Sequence, residues 1–520
     1  MMRWSAAPET REQLVLFAGS LDNAIAQDHT VRLLDELLGQ VSWTDWERHY
    51  HGTLGQPPIH PRVLASVILY GMLTQVRSSR KMEESLWARL DFRWLVSGRT
   101  IDHTTLSEFR RKHPEELKGL FIKVCQVARE LGLLNLQRLG YDATRIRSNN
   151  RRSGTRTPEE LKKERDELAA KFNELNRQSE SEDSQDEELF GSGSSHALPA
   201  ELQNQRQRLA QLDAALKDLE RLAEEGRTVP NRVPITDRDS RVMPNKDGGH
   251  APNYTPFATV DIDSGLIVDA DVLNVINEDG HLIPSVSSVE KTFELNEPLT
   301  VLTDSLNGTG ANIAACEERG INLISPCPVS DPGANPALRA DPTQPVPESE
   351  WDRLPTHIIK KGAPPQLDKA AFVYDAERDC YWCPMGQSMT NKGTTSEKCG
   401  SGRRYRTRYK AEASACEGCP LRSRCIQGNA GTRQINREQY EKHRERHAAK
   451  MALQTSKDLY QRRRHPGERP FAMIKQHFGL RQFLLRGLDR VRAEWCWAAT
   501  AFNLHRLMAL ICARPGPQSE

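Results

Sequence analysis

At 520 residues, with 72 Lys and Arg against 70 Asp and Glu, the chain is too long for one ordinary core, and its net charge of +2 neither demands nor excludes a polyanionic partner, because separate acidic and basic blocks cancel in the sum. No basic-then-apolar leader opens it, VLASVILYGML is too short to span a bilayer, and WCWAATAFNLHRLMALIC is interrupted by Asn503, His505 and Arg506; a soluble, cytoplasmic protein is expected. Eleven cysteines without a leader point to a metal site rather than disulfides.

From about Gln27 to Leu134 the apolar spacing predicts consecutive helices: VRLLDELLGQV, WTDWERHY, PRVLASVILYGML and RKMEESLWARLDFRWLV. In TIDHTTLSEFRRKH, Asp102 or Thr104 can cap a helix that presents Arg110, Arg111 and Lys112, so 1-135 reads as an all-α DNA-binding domain of helix-turn-helix character, with an all-helical packing domain that has a solvated basic face as the alternative. His103 and His113 have no metal spacing.

At LQRLGYDATRIRS the period changes to alternation and predicts a strand with Asp142 at its centre, where propensity gives Asp no reason to be. Residues 155-228 then read as an inserted helical hairpin, with Leu161, Leu168, Phe172 and Leu175 on one arm and Leu202, Leu209, Leu212, Leu216 and Leu219 on the other. The acidic, Gly/Ser-rich SESEDSQDEELFGSGSSHALPA is its expected irregular tip.

NYTPFATVDID and LIVDADVLNV predict an antiparallel pair turning at Asp263-Ser264-Gly265. A helix follows at HLIPSVSSVEKTFEL, then strand PLTVLTD ending at Asp304, helix NIAACEERG and strand INLISPC. Three strands, helix, strand, helix, strand make a mixed five-stranded α/β sheet over 136-327, and Asp304 stands at a strand's carboxyl end, where open α/β sheets place their sites.

The Pro- and Cys-rich insertion 328-434 offers Cys380, Cys383, Cys399, Cys416, Cys419 and Cys425, six thiols for the four positions of a tetrahedral structural Zn²⁺. Cys383, Cys416, Cys419 and Cys425 are the chosen ligands of a zinc ribbon, with Cys380 the nearest substitute and Cys399 a bystander. Cys125, Cys316, Cys327, Cys496 and Cys512 are expected in the core.

The closing segment, 435-513, opens with a basic helix from Arg437, in which His443 and His447 are expected on a solvated or phosphate-facing side. After a break at Pro466-Gly467 a second helix carries Phe471, Ile474 and Phe478 toward a core and Glu468 and Lys475, two turns apart, on a common face.

Asp142 on the first strand, Asp304 at the end of the fourth and Glu468 on the helix after the fifth match the layout of an RNase H-like nucleotidyl-transfer domain. Three carboxylates supply the hard oxygen ligands two Mg²⁺ ions need, with Mn²⁺ able to substitute. The chain resembles bacterial insertion-sequence transposases of the DDE superfamily, in the branch whose catalytic sheet is interrupted before the last acid. The likeness is carried by HPRVLASVILYGMLTQVRSSRKMEES, DHTTLSEFRR, YDATRIRSN, TDRDSRVM, VLTDSLNG, the Cys-rich ribbon and ERPFAMIKQHFGLRQFLLRGLDRVRAEW. It implies that Asp142, Asp304 and Glu468 are the catalytic triad and that Arg464 and Lys475 bracket the Glu and hold DNA. The branch's Tyr is out of register, with Gln461 in its place, and Ser305-Leu306 replaces the usual small-residue turn. The implied activity is metal-dependent cleavage and strand transfer at terminal inverted repeats, on duplex element ends and target DNA, by a homodimer or higher multimer. The alternatives are a domesticated DNA-binding protein that keeps the fold without turnover, and a hydrolytic nuclease.

Overall fold

A computed structural model describes residues 19–50, 57–150, 154–190, 200–224, 229–245, 248–276, 278, 280–327, 335–358, 364–399, 402–426 and 430–513. Of the expected hairpin tip, 191–199 lies outside them. The chain forms two compact units, one of Met1–Leu299 with Arg463–Glu520 and one of Thr300–Arg462.

The first unit opens with helices α1 (Thr30–Gly39), α2 (Thr44–Glu47), α3 (Pro61–Leu73), α4 (Ser79–Ala88), α5 (Leu90–Leu95), α6 (His103–Lys112) and α7 (Pro114–Glu130). Val31, Leu34 and Leu38 recur at helical spacing and are fully buried. His60 caps α3 by accepting the Arg62 N–H at 3.1 Å, and Pro61 takes the first helical position, where a missing N–H costs nothing. RKMEESLWARLDFRWLV is two helices rather than one, because Arg89 is extended between them.

Strands β1 (Arg138–Ala143), β2 (Ile146–Arg147) and β3 (Thr155–Arg156) follow. The inserted hairpin is α8 (Pro158–Phe190) and α9 (Ala200–Glu224), closed at its base by Leu161, Leu212, Leu216 and Leu219. The acidic stretch expected to be irregular is helical to Phe190, since no Gly or Pro interrupts it before Gly191. After β4 (Val233–Pro234) and β5 (Arg241–Pro244), the twelve-residue β6 (His250–Asp261) organises the unit's sheet. It pairs antiparallel with β1 (Asp142 opposite Ala258), with β7 (Ile267–Leu273) and with the unexpected short strands β2 and β5. Gly265, at φ +74°, makes the β6–β7 turn, and Asp261 holds it by accepting from the Ser264 N–H and hydroxyl. Helix α10 (Leu282–Phe293) closes this part.

The second unit holds β8 (Thr300–Leu302), α11 (Gly310–Glu318) and β9 (Asn322–Ile324), the two strands parallel with Val301 opposite Leu323. Beyond the small pair β10 (Thr356–His357) and β11 (Gln366–Leu367), an antiparallel sheet runs in order β12 (Val373–Asp375), β13 (Cys380–Trp382), β14 (Ser388–Cys399), β15 (Gly402–Ala411) and β16 (Gln434–Glu438). The turns α12 (Ala413–Cys416) and α13 (Arg422–Cys425) lie between β15 and β16. Arg437 therefore stands in a strand, and the basic helix α14 (Glu441–Ala452) starts after it.

Helix α15 (Gln454–Gln476) carries the chain back to the first unit, where α16 (Leu488–Cys512) packs on α3, α7 and β7. Trp495, Trp497, Phe502 and Leu504 of α16 are buried, each contributing roughly 2–3 kcal/mol of transfer free energy before entropy is charged. Asn503 is buried among them because Oδ1 accepts the Ile267 N–H at 2.8 Å and Nδ2 donates to the Ile267 carbonyl at 2.7 Å. Cys125 and Cys316 are buried as expected, but Cys512 is exposed at the end of α16. Among the described residues no helix is long and apolar enough to cross a membrane.

Candidate functional site

Asp142 lies next to last in β1, and its Oδ1 accepts the Ala143 N–H at 2.9 Å. Against Oδ2, at 3.3 Å, stands Arg463; the two side chains are 17% and 9% exposed. Two residues past Asp142, the Lys475 ammonium donates to the Thr144 hydroxyl, and Thr144 is anchored through its N–H to the Pro256 carbonyl at 2.9 Å. Lys475 of α15 is thereby fixed beside the end of β1.

The expected break at Pro466-Gly467 is absent: α15 is continuous from Gln454 to Gln476. Gly467, Phe471, Ile474 and Phe478 are buried on one side, and Phe471 stacks on Trp495 with centroids 6.0 Å apart. Glu468 is exposed, and helical geometry puts it two turns, about 10 Å, from Lys475 on the same face. Arg464's side chain lies outside the described residues, whereas Arg463, passed over in the sequence, contacts Asp142. The signal for it was its spacing, four before Gly467 and eight before Phe471, legible only on an unbroken helix.

In the second unit, Asp304 follows β8, where the Thr303 N–H still pairs with the Ile324 carbonyl at 3.0 Å. Its Oδ1 accepts three hydrogen bonds, from the Leu306 N–H (3.0 Å), the Asn307 N–H (3.2 Å) and the Asn307 amide (3.2 Å), an Asx turn that fixes the carboxylate. Oδ2 accepts none among the described residues. Gly308 is obligatory here, because a Cβ would come within 2.5 Å of the Ser325 hydroxyl, which donates to the Asp304 carbonyl. Leu306 supplies only its N–H and turns its side chain outward, 67% exposed. A rigid, partly exposed carboxylate with one open oxygen suits a hard cation.

His447 corrects the expectation of a solvated face: it is buried, with Nε2 2.9 Å from the Ser325 carbonyl, and burial pushes its pKa down. His443 is drawn onto Glu317 at 2.6 Å.

Cys383, Cys416, Cys419 and Cys425 line one apolar pocket with Leu367, Phe372 and Met389. Burial raises the Cys383 and Cys425 thiols, the latter to about 12. Cys419 and Cys416 raise Cys383 further, and Cys383, Cys416 and Cys419 raise Cys425. The Gln387 N–H points to the Cys383 sulfur at 3.4 Å. Cys380 stands apart, its thiol raised by burial and then by Asp375 and Asp379, and the Cys399 side chain lies outside the described residues. Four thiols lining one pocket are the donor type that a soft tetrahedral cation takes.

Arg110 is not on a DNA-facing surface. It is 5% exposed and donates to the Arg77 carbonyl at 2.8 Å, with Nη2 4.0 Å from Glu494. Glu494, fully buried, also accepts from Arg77 at 2.7 Å and from the Leu484 and Leu485 N–H groups at 2.9 Å, while Arg77 donates to the Gly479 and Gln482 carbonyls. Arg111 is exposed, at the basic end of α6. His113 and His103 face Glu116 (3.9 Å) and Glu83 (2.8 Å) respectively.

Compared with known families, residues 382–508 match a transposase DDE domain and residues 19–112 match a transposase domain (DUF772). No curated relative matches the chain.

Proposed function

Since the chain belongs to the insertion-sequence transposases of the DDE type, which implies dependence on a divalent metal, we propose that it binds the terminal inverted repeats of its element and catalyses strand cleavage and strand transfer. Asp142, Asp304 and Glu468 are its catalytic triad, on an RNase H-like sheet. The observation that carries this reading is the Lys475–Thr144 hydrogen bond, which pins the helix bearing Glu468 against the strand bearing Asp142. Two Mg²⁺ ions, or Mn²⁺, when bound supply activation of the attacking water or 3'-hydroxyl and stabilisation of the leaving oxygen.

The chain's own residues do the rest. Asp304, held through Oδ1, offers Oδ2 as a preset ligand, so little ordering is left to be done on binding. Lys475, on the Glu468 face of α15, and Arg464, assigned from the family likeness, contact the phosphates flanking the scissile bond and position the duplex without reading its bases. Arg111 adds a phosphate contact from the N-terminal helices. The thiol quartet holds a structural Zn²⁺ in a closed site that leaves no position for chemistry. Two or more copies act on paired element ends.

The test is a plasmid carrying matched element ends, incubated with the full chain in Mg²⁺. Asp142→Asn, Asp304→Asn and Glu468→Gln are each expected to lose cleavage while retaining end binding in Ca²⁺. A variant that cleaves at the wild-type rate removes that residue from the triad. Cleavage without any joined product would make the enzyme a nuclease, and end binding without cleavage by the wild type would make it a DNA-binding protein only.

A further inference from the structure

Strands β14 and β15 are longer than the sheet they belong to. On one side β13 accompanies β14 only from Ser388 to Thr390, and on the other β16 accompanies β15 only from Arg406 to Lys410. Past those points the two strands run on alone, pairing Ser396 with Tyr405, Glu397 with Arg404, Lys398 with Arg403 and Cys399 with Gly402. The ribbon departs at a bulge between Asn391 and Thr394, where Gly393 sits at φ +95°, a device that bends and twists a strand pair away from its sheet.

This extension adds nothing to the core. The hydrophobic cluster of the second unit takes only Met389, Tyr409 and Ala411 from the hairpin, all at its base, while residues 391–397 and 403–405 are exposed. A free two-stranded ribbon is marginal in water. This one is kept in register by Thr394 and Thr407 (2.9 Å), by the Thr395 hydroxyl on the Arg406 carbonyl (3.3 Å) and by Glu397 with Arg406 (3.2 Å).

Its charge is strongly positive within a balanced chain. The hairpin Ser388–Ala411 carries seven Lys and Arg and one acid, against a net +2 for all 520 residues. Strand alternation sets Arg404, Arg406, Arg408 and Lys410 in one row, about 7 Å apart, and puts Arg403 and the 45% exposed Tyr405 on the other face. Such a row of cations opposes strand addition by a second copy. A two-stranded ribbon fits the major groove of B-form DNA, about 12 Å wide, and would bring its cations to the phosphates on the walls.

We propose that the described strands of this ribbon, 394–397 and 403–407, form a DNA-docking arm that lies in the major groove of a duplex, an assignment that rests on reading the chain as a DNA-transposing enzyme. Arg403 and Arg404 take backbone phosphates and Tyr405 packs against the groove wall.

The experiment uses the full chain, with Ca²⁺ in place of Mg²⁺ so that no strand is cut, and measures anisotropy on an end-containing duplex and on an unrelated one. Arg403→Gln combined with Arg404→Gln is expected to weaken binding to both and to flatten the salt slope by about two units, so that the affinity lost between about 50 and 200 mM salt shrinks by roughly tenfold. Zinc content and urea midpoint should stay at wild-type values, because both residues lie outside the core. Protection of guanine N7 from methylation, a major-groove readout, should be present with the wild type and lost with Tyr405→Ser. Unchanged slopes and protection, with normal binding by the wild type, would overturn the arm alone. So would loss of self-association in sedimentation with DNA affinity intact, which would make the ribbon a contact between copies. A wild-type chain that binds no duplex would overturn the transposase reading as well.

Discussion

Arg463 lies against the carboxylate of Asp142, 3.3 Å away, with both side chains more than four-fifths buried. Removing one partner of a buried pair strands the other's charge. Arg463→Gln is therefore expected to lower unfolding free energy by about 2–4 kcal/mol, and Asp142→Asn by about 1 kcal/mol, since the amide oxygen still accepts. Urea titration of both and of the double variant measures the coupling; additive effects would show that the pair does not interact.

The thiol quartet should hold about one zinc per chain. Because the Cys383 and Cys425 thiols stand above their ordinary range while protonated, metal must displace protons, so uptake releases acid and weakens as pH falls. Cys416→Ser with Cys419→Ser should abolish zinc in metal analysis, and Cys380→Ser should leave it in place. The reverse pattern would assign the ligands differently.

Glu494 gathers Arg77, Arg110 and two backbone N–H groups at a site without water access. Glu494→Ala should cost about 3–5 kcal/mol, more than the loss of any one exposed ion pair, and Glu494→Gln should cost less. A guanidinium chloride midpoint unmoved by the alanine variant would contradict this.

His447 is held neutral by burial, with a folded pKa below the ordinary value of about 6.5. Below that pH the unfolded chain binds a proton that the folded one refuses, so the stability His447 contributes is present above about 6.5 and falls as pH drops toward the folded pKa. Unfolding midpoints measured between about pH 5 and 7.5 should decline less steeply for His447→Gln than for the wild type; equal slopes would rule the histidine out as the cause.

Much of the local architecture can be read from periodicity alone. The strand around Asp142, the strand that leads to Asp304 and the helices from Val31 to Ala128 are fixed by neighbours close in sequence. What escapes such reading is set by distant partners. Arg110 looks like a solvated cation until Glu494, 384 positions later, is brought beside it. His447 is buried by the carbonyl of Ser325. A Pro-Gly pair ordinarily ends a helix, yet the buried stripe from Gly467 to Phe478 keeps α15 intact through it, and only on that intact helix does Arg463 reach Asp142. The C-x2-C spacing cannot tell Cys380 from Cys383, whereas the pocket that gathers the quartet leaves Cys380 out.

The contact of Asn503 with Ile267 has a bearing on how the protein behaves at high concentration. An open edge such as that of β7 is a template on which another chain can add itself, the first step toward aggregates. Here one carboxamide occupies both the N–H and the carbonyl of Ile267, and the Arg492 guanidinium takes the Val272 carbonyl at 3.3 Å near the strand's other end. A single helix thus acts as a permanent mock neighbour for the strand, and a second copy of the chain meets an edge whose bonding groups at Ile267 and Val272 are already taken.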